Sequence, residues 1–462
     1  RKLTVSVGLR YDYYGQYNEE QNRFTNFDFQ TGERIMPSST KPLVQSQLNI
    51  PGGNLPAGWR YDSLDKVVPK ANWLNFAPRF GFAYALNNRL TVRGGYGLFY
   101  GVTVSNNANN SGTDGNPFYS DFGLPADLNN PIVVRNGFPA GGLLGALSAR
   151  TFGSYYSPLD RPDPYTQKYS LNLQVSPSRL TALEIGYSGQ RALRFPTLAA
   201  ANVPLPGPGT IQDRRPYPNV GGFTLYLPIN DTNYNGLEMT FRLRDYHGVT
   251  IQSAFTFSKS LGYTTGTDGG LLADPYNYRY DYGPLAYDYR KRSVSAFIYR
   301  VPTAKALPSL PRYILSNWEA SSLVTLQGGF PFTVGVAGQV MNNGIGGNRA
   351  TTLRGPVLPG DQRTRDRWFD TAAFVSPPIY EWGAQGKNTL RGPGLAVVDF
   401  AFQKSIPVHE KKRLTFRMEA TNFFNRVQLG LPSATFNAVN FGVIRSLQSG
   451  PRNIQLAARF DF

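Results

Sequence analysis

The last ten residues of the chain, Asn453-Ile454-Gln455-Leu456-Ala457-Ala458-Arg459-Phe460-Asp461-Phe462, alternate between two kinds of side chain. The even-numbered positions are apolar, whereas the odd-numbered positions are polar or small. Successive side chains of a β-strand point to opposite faces, so this stretch predicts a strand with one apolar and one mostly polar face. Such an ending is typical of a strand that faces lipid on one side and water on the other, with an aromatic at the interface.

The composition favours strands and turns over helices. The 462 residues include 28 Tyr, 30 Phe, 48 Gly and 35 Pro, whereas only 17% are charged. The chain has no Cys, so neither disulfides nor thiolate metal sites are available. The mean hydropathy is negative, at −0.33, and no run of about 18 apolar residues predicts a transmembrane helix. A membrane barrel remains compatible with these values, because its strands are only half apolar.

The formal net charge of +17 suggests an anionic partner. Nucleic acid and the phosphates of anionic lipids are the two classes that this charge could serve. The sequence shows no helix-turn-helix pattern, zinc-ligand spacing or RNA-binding-sheet signature, so we expect no nucleic-acid partner. Residue 1 is Arg and leads directly into a strand without a signal peptide. We therefore expect the chain to be the C-terminal part of a longer precursor.

The alternation seen at the end of the chain recurs throughout it, and about 12 strands of about 10 residues each are expected. These are residues 2–13, 75–86, 89–100, 167–175, 181–189, 234–243, 249–258, 292–301, 317–327, 395–405, 413–422 and 453–462. Their connections alternate between short and long. This places the tight turns at one rim and the long loops at the other, as in an antiparallel transmembrane β-barrel with periplasmic turns and extracellular loops.

The two faces of the expected strands differ in character. We expect the apolar face to contact lipid; it carries Leu3, Val5, Leu171, Leu173, Met239, Phe241, Phe255, Phe400, Phe402, Phe416 and Met418. We expect the other face to line the lumen; it carries Arg10, Arg93, Glu184, Glu238, Arg242, Arg417 and Glu419. Residues 292–301 and 317–327 show no clean alternation, so their faces are left unassigned. A soluble sheet with one buried face would show the same period.

Several motifs resemble those of one receptor family. They are NFAPRFGFAY at 75–84, YGP at 282–284, DYRKR at 288–292, WFDTAAF at 368–374, LRGPG at 390–394 and EATNFFN at 419–425. In this order they resemble the barrel of TonB-dependent outer-membrane receptors of the Oar-like group, which carry a carboxypeptidase-regulatory-like domain. Tyr282 and Lys291 depart from that group's pattern. Phe460 and Phe462 are similar to the C-terminal assembly signal of outer-membrane barrels.

The resemblance implies a cell outer-membrane barrel of about 22 strands around an N-terminal plug, of which residues 1–462 would form the C-terminal part. It implies energy-coupled uptake of a ligand into the periplasm. The expected partners are outer-membrane lipid and lipopolysaccharide, the barrel-assembly machinery, and TonB through an N-terminal region absent here. The ligand stays open between an oligosaccharide, a peptide and a siderophore-like molecule. The first and last strands are expected to pair with missing strands or with each other.

A tyrosine-rich loop is the candidate ligand site. Tyrosine offers a flat apolar face and a hydroxyl, which suits sugars, peptides and siderophore-like molecules. The residues concerned are Tyr276, Tyr278, Tyr280, Tyr282, Tyr287, Asp288 and Arg290. The alternative, which we favour, is that these aromatics form an interfacial girdle or pack loops together.

The sequence gives little support for catalysis, metal binding or a cofactor. Its two histidines, His247 and His409, fall in short predicted turns far apart in the chain. The Asp-Gly segments at 114–116 and 268–270 lack the full calcium-loop pattern and are expected to be turns. We therefore expect no enzyme. Two alternatives to transport remain: a structural or adhesive surface protein, and a soluble carbohydrate-binding β protein.

Overall fold

Twelve long strands form one continuous antiparallel sheet in the computed structural model, which describes residues 2–15, 19–48, 55, 57–101, 155–263, 271–302, 308–338, 340–409 and 412–462. Each strand is bonded to the next in chain order, and short hairpins alternate with long connections between them. The strands are β1 Leu3–Tyr11, β2 Phe76–Asn87, β3 Leu90–Tyr100, β4 Tyr165–Val175, β5 Thr181–Ala201, β6 Phe223–Tyr246, β7 Val249–Gly262, β8 Lys291–Arg300, β9 Trp318–Gln327, β10 Leu395–His409, β11 Lys412–Thr421 and β12 Asn453–Asp461.

The remaining elements lie in the connections. Short strands are Asn26–Asp28, Glu33–Pro37, Trp59–Asp62, Tyr155–Tyr156, Gly283–Pro284, Pro331–Phe332, Gly335–Val336, Thr351–Thr352, Phe374–Val375, Leu390–Arg391 and Thr435–Phe436. Two helices, α1 Lys41–Leu48 and α2 Ser309–Leu315, accompany the 3-10 turns Ser38–Thr40, Leu64–Lys66, Gln212–Arg214, Tyr278–Asp281, Gly360–Gln362 and Thr371–Ala373. Among the described residues, no helix combines the length and hydropathy needed to cross a bilayer.

The hairpin between β6 and β7 shows how the sequence sets a tight turn. His247 and Gly248 both have positive φ, at 50° and 85°, and they join paired residues Tyr246 and Val249. Two residues with positive φ match the twist of the strands that they connect. His247 is therefore a turn residue, as predicted, whereas His409 is the last residue of β10 instead of a turn residue.

The strand register sorts the side chains onto two faces. One row joins Val5, Phe82, Gly94, Leu171 and Tyr187 across β1 to β5. We call this side of the sheet the apolar face. The pairings of the later strands place the other residues that we expected to contact lipid on it: Leu3, Leu173, Met239, Phe241, Phe255, Phe400, Phe402, Phe416 and Met418.

A parallel row on the opposite side joins Arg93, Asn172, Gly186, Glu238 and Thr256 across β3 to β7. We call this side the charged face. The remaining residues that we expected to line a lumen share it: Arg10, Glu184, Arg242, Arg417 and Glu419.

The register also assigns the two strands that the sequence left open. Ser293, Ser295 and Phe297 of β8 lie on the apolar face, opposite residues of β7 and β9. The hydroxyls of Ser253 and Ser295 lie 2.7 Å apart and hydrogen-bond to each other. A hydrogen bond between two side chains lets these polar groups lie where no water can bond to them. These serines explain why the hydropathy of this region shows no clean alternation.

Two strands are longer than the sequence predicted. We expected a loop over residues 191–232, but β5 continues to Ala201 and β6 begins at Phe223. The extension contains Pro196, Asn230 and Asp231, which are poor strand formers, and the register shifts on both sides of Asn230. The prediction failed because a pairing partner, which propensity cannot reveal, holds these residues extended.

The described hydrophobic core lies mostly in the long connections instead of the twelve-stranded sheet. One buried cluster lies wholly in the connection between β9 and β10; it consists of Phe332, Val334, Ala350, Phe369, Ala373, Phe374 and Leu390. A second joins Phe27, Tyr156 and Val220 to Phe223, and so packs three connections together. A third contains Phe24, Ile35, Val67 and Val68. The described parts of the long connections therefore form packed clusters, which we together call the loop cap.

The sheet has two edges. β1 bonds only to β2, and β12 only to β11, among the described strands. Closure of the sheet by pairing of these two strands, one of the two options expected from the sequence, is therefore not observed. Both strands are exposed on both faces.

Candidate functional site

The tyrosine-rich loop, residues 271–290 between β7 and β8, is fixed at its start by a carboxylate. Asp274 accepts hydrogen bonds from the backbone N–H groups of Tyr276 (2.9 Å) and Asn277 (3.1 Å). The Tyr276 hydroxyl donates to the carbonyl of Val203, in the connection between β5 and β6. Tyr276 keeps about half of its side chain exposed, at 53%, whereas Tyr278 is half-buried.

An ion pair joins the middle of this loop to the connection between β9 and β10. The buried guanidinium of Arg349 pairs with Asp281 and lies 4.0 Å from the centroid of the Tyr280 ring. The Tyr280 hydroxyl donates to the carbonyl of Gly383 at 2.9 Å. Burial raises the pKa of Tyr280 to about 12. Tyr280 and Asp281 are therefore structural residues of the loop cap, which supports the interpretation that these aromatics pack loops together.

Lys387 adds a second buried cation beside this pair. Its ammonium donates to the carbonyl of Tyr263, which directly follows the last residue of β7. Burial lowers the pKa of Lys387 to about 8; the nearby Asp281 carboxylate opposes this shift, and Arg349 adds to it. No local sequence pattern points to Lys387 or Arg349, because both lie far from the loop along the chain.

Asp288 is a second junction between loop and sheet. Its side chain is fully buried and accepts a hydrogen bond from the backbone N–H of Ser260 at 2.6 Å. The same carboxylate pairs with Arg391 and lies 3.2 Å from Nε of Arg290. Arg391 also donates to the backbone carbonyl of Asp288. These bonds occupy the carboxylate, so Asp288 and Arg290 position the end of the loop.

A pocket of about 460 Å³ lies where this end of the loop meets the charged face. Tyr287 and Tyr289 line it from the loop, and Tyr234 and Arg292 line it from the sheet. The other lining residues are Gln190, Thr232, Asn233, Thr256, Ser258, Ser260 and Leu285. Three phenol rings among hydroxyls and amides, with one guanidinium, suit a ligand with many hydroxyl groups and some apolar surface.

The pocket walls are held in place by the groups just described. The Ser258 hydroxyl donates to the carbonyl of Tyr289 at 3.1 Å, and the Tyr289 ring contacts Phe330 edge-on, with centroids 4.9 Å apart. Tyr287 remains 51% exposed. Burial of part of its surface raises the pKa of Tyr287. Of the seven residues predicted as a ligand site, Tyr287 is therefore the one that lines this pocket. Tyr282 is also exposed, but it does not line the pocket, and its ring contacts Tyr263.

A second cavity, of about 560 Å³, adjoins the first along the same sheet and shares Gln190 and Tyr234 with it. On the charged face here, the guanidinium of Arg79 lies 4.4 Å, and the ammonium of Lys168 lies 5.7 Å, from the ring centroid of Phe99. Two cations therefore lie beside one ring in this cavity, and Glu238 contributes a carboxylate to the same lining. Neither the two cations nor Phe99 was predicted from the sequence to be functional.

The remaining candidate sites from the sequence are a metal site, two Asp-Gly segments and the charged residues expected in a lumen. Among the residues that the structure describes, no group of three or more His, Cys, Asp or Glu side chains could hold a metal ion. The Asp-Gly segments at 114–116 and 268–270 lie outside the described residues. Of the residues expected in a lumen, Arg10 pairs with Asp12 at 2.6 Å, and Arg417 pairs with Glu419.

Three comparisons place the chain among known proteins. A family model described as "Outer membrane beta barrel domain" matches residues 1–455. The comparison with curated proteins finds no match. Among solved structures, the outer membrane transporter YddB from Escherichia coli is similar, with 13% identity, a TM-score of 0.47, and coverage of 84% of this chain and 41% of that chain.

Two further solved structures are also similar to this chain. The ferric-catecholate import receptor Fiu from E. coli shares 12% identity, with a TM-score of 0.41 and coverage of 100% of this chain and 43% of that one. FpvA from P. aeruginosa, bound to heterologous pyoverdines, shares 11% identity, with a TM-score of 0.41 and coverage of 86% and 34%. This chain thus spans less than half the length of the solved chains that it matches.

The sequence predicted strands of alternating hydropathy and short turns separated from long loops. The family match agrees with both predictions. It removes the alternative of a soluble carbohydrate-binding protein, because proteins of this family lie in the cell outer membrane. The chain belongs to the outer membrane β-barrel domain family.

Proposed function

We propose that this protein is a transport receptor, in which the charged face lines a water-filled passage and the loop cap admits a ligand to it. One observation carries the proposal: the pocket of about 460 Å³ opens on the charged face and is lined from above by Tyr287 and Tyr289 of the loop cap. A barrel that served only as a structural element would need no pocket where loops and inner wall meet.

The lining favours one of the ligand classes that the sequence left open. Hydroxyls and amides from Thr232, Ser258, Ser260 and Gln190 surround three phenol rings. Sugars are recognised by this combination, because the ring faces pack against C–H groups while the polar groups bond to the hydroxyls. An oligosaccharide therefore fits better than a peptide or a siderophore-like ligand.

The test is binding of defined probes to the protein in detergent micelles, measured by calorimetry. The probes are a neutral oligosaccharide, a short peptide and a ferric catecholate. The double variant Tyr287→Ala and Tyr289→Ala should weaken binding of the oligosaccharide about tenfold, since each lost ring contact contributes roughly 0.5–1.5 kcal/mol. Tyr246→Ala serves as the control, because Tyr246 is an exposed tyrosine at the end of β6, beside the short turn at the other end of the sheet. Unchanged affinity in the double variant would reject the pocket.

Energy coupling through TonB belongs to the same proposal. The chain would contribute the passage, and TonB would act through a part of the protein outside residues 1–462. The exposed edges β1 and β12 support a larger barrel of about 22 strands, because unpaired strand edges otherwise invite association with other chains. Assignment to the Oar-like group and the roles of the barrel-assembly machinery, Phe460 and Phe462 also remain proposals.

Basic residues on the apolar face support lipopolysaccharide as a partner. Arg191, Lys259 and Lys291 are exposed on that face near the loop cap, opposite Asn233, Asn235 and Phe257 of neighbouring strands. Cations at the rim of a lipid-facing surface can pair with the phosphates of the outer leaflet. The triple replacement by Ala should reduce the lipopolysaccharide that copurifies with the protein, whereas Lys66→Ala in a loop should not.

A structural or adhesive surface protein remains the second candidate. The observation in its favour is the loop cap itself, whose buried clusters and cross-links give the outer surface a fixed shape. Failure of every probe to bind, together with adhesion that depends on the exposed loop residues, would favour this function.

A further inference from the structure

Helix α2, Ser309–Leu315, lies in the connection between β8 and β9, where the sequence predicted only a long Pro-rich link. This connection is at the same end of the sheet as the short turns, and it is the longest of them. Its apolar side chains are unusually exposed for a helix: Leu310 is 69%, Ile314 54%, and Tyr313 and Leu315 each 50% accessible. Nothing in the described part of the chain covers this apolar surface.

The end of α2 is attached to the apolar face of the sheet. The carbonyl of Ile314 accepts hydrogen bonds from Nε1 of Trp318 at 2.8 Å and from Nζ of Lys404 at 2.9 Å. Lys404 also donates to the carbonyls of Tyr313, at 2.8 Å, and Ser316. Trp318 and Lys404 are paired residues of β9 and β10 that point to the apolar face. The helix is therefore held against the side of the wall that faces lipid.

Lys404 brings a positive charge to this contact, and it is almost completely buried, with 8% of its surface exposed. An exposed ammonium on a lipid-facing strand would be costly, most of all near the bilayer midplane and less near its edge. The carbonyls at the end of α2 remove this cost, because they carry partial negative charge and lack partners within the helix. The Trp318 ring, 5.0 Å from Nζ, covers the ammonium further.

The surface beside α2 has the composition of a membrane interface. The rings of Trp318 and Phe402 stack with centroids 4.6 Å apart on the apolar face. Aromatic side chains of this kind form the girdles of membrane barrels at the level of the lipid headgroups. The apolar side chains of α2 continue this girdle outward from the wall.

We propose that α2 is an interfacial membrane helix, which lies in the periplasmic leaflet of the outer membrane and is tethered to the barrel by Lys404. Its partner is the lipid of that leaflet, because the exposed side chains are continuous with the lipid-facing surface. Leu310, Tyr313 and Ile314 insert among the upper acyl chains, and the Lys404 ammonium fixes the orientation of the helix. The inference does not depend on transport, since it concerns only the outside of the wall.

The absence of Cys from the sequence allows a direct test with single labels. A nitroxide is attached at Ile314→Cys in the full chain reconstituted in phospholipid vesicles, and its accessibility to oxygen and to a water-soluble nickel chelate is measured. We expect oxygen access to exceed chelate access, as for a label at Leu171→Cys on the apolar face. A label at Leu205→Cys, in a long connection at the opposite end, should show the reverse.

Two results would overturn the proposal. One is chelate access at Ile314→Cys equal to that at Leu205→Cys, which would place α2 in water. The other is protection from both reagents, which would show that another protein or a second copy covers the helix. The tether is tested separately with Lys404→Met, which should make the label at Ile314→Cys more mobile while the label at Leu171→Cys is unchanged. An unchanged spectrum at position 314 would remove Lys404 as the tether.

Discussion

Replacement of Asp288 by Asn tests the view that this carboxylate positions the pocket instead of binding the ligand. The Asp288 side chain is fully buried, bonds to the N–H of Ser260, and pairs with Arg391 and Arg290. Asn can keep the bond to Ser260 through its amide oxygen, but it carries no charge. The change therefore leaves two guanidinium groups without their partner while the shape of the side chain is retained.

The expected cost follows from the burial of the partners. Removal of one member of a fully buried ion pair costs about 3–5 kcal/mol. Arg391 and Arg290 keep 28% and 43% of their side chains exposed, so water compensates part of the loss. We expect a loss of about 2–3 kcal/mol, which corresponds to roughly a 30- to 150-fold increase in the local opening equilibrium.

Hydrogen exchange of the protein in micelles measures this opening by region. In Asp288→Asn, the amides of residues 283–290 and the end of β7 should exchange faster by the factor given, while those of β1 to β4 remain unchanged. Asp361→Asn, an exposed acid in the connection between β9 and β10, is the matched control. Normal exchange at residues 283–290 combined with loss of ligand binding would refute the reasoning, because Asp288 would then act on the ligand directly.

Further predictions concern the loop cap, the lipid-facing surface and the end of the chain. The pKa of Lys387 in the folded protein, about 8, lies below its ordinary value of 10.5, so the folded state binds fewer protons between these values and loop-cap stability should rise from pH 8 towards pH 10. Lys387→Met should abolish this rise in stability, measured as the protection of loop-cap amides from hydrogen exchange. A loop-cap stability of the wild type that does not change with pH would contradict the prediction. Leu171→Lys, on the apolar face, should destabilise the protein in vesicles by about 2–4 kcal/mol in denaturant titrations, whereas Ser170→Lys on the charged face should have a much smaller effect. Phe462→Ala should lower the amount of protein assembled in the outer membrane, as scored by the mobility shift of unheated samples, while Phe424→Ala in a loop should not; equal assembly of both variants would reject an assembly role for Phe462.

The sequence was sufficient to predict the wall because its information is local. Alternation with a period of two residues identifies a strand and both of its faces without knowledge of its partners. Leu171 and Ser170, for example, were assignable from their immediate neighbours, and the register bears out that assignment. The prediction weakened where polar residues on the apolar face find partners across strands, as Ser253 and Ser295 do.

The site depends on contacts between residues far apart in the chain, which no local pattern encodes. Asp288 and Arg391 are separated by 103 positions, and Tyr280 and Arg349 by 69. The tyrosine-rich loop could be recognised by composition, but composition could not distinguish Tyr287, which lines a pocket, from Tyr280, which is fixed by Arg349 and Gly383. Helix α2 was missed because it is short and its stabilising partner, Lys404, belongs to a later strand.

A barrel wall requires that one face of the sheet contacts lipid and the other contacts water. Adjacent residues of β6 test this most directly, because Glu238 lies on the charged face and Met239 on the apolar face. In vesicles, a bimane label at Met239→Cys should be quenched by brominated acyl chains, and the Cys should react slowly with an aqueous maleimide. Glu238→Cys should react rapidly with the maleimide, and its bimane label should resist quenching by brominated lipid. Equal behaviour at the two positions, or the reverse pattern, would contradict a barrel wall with lipid outside and water inside.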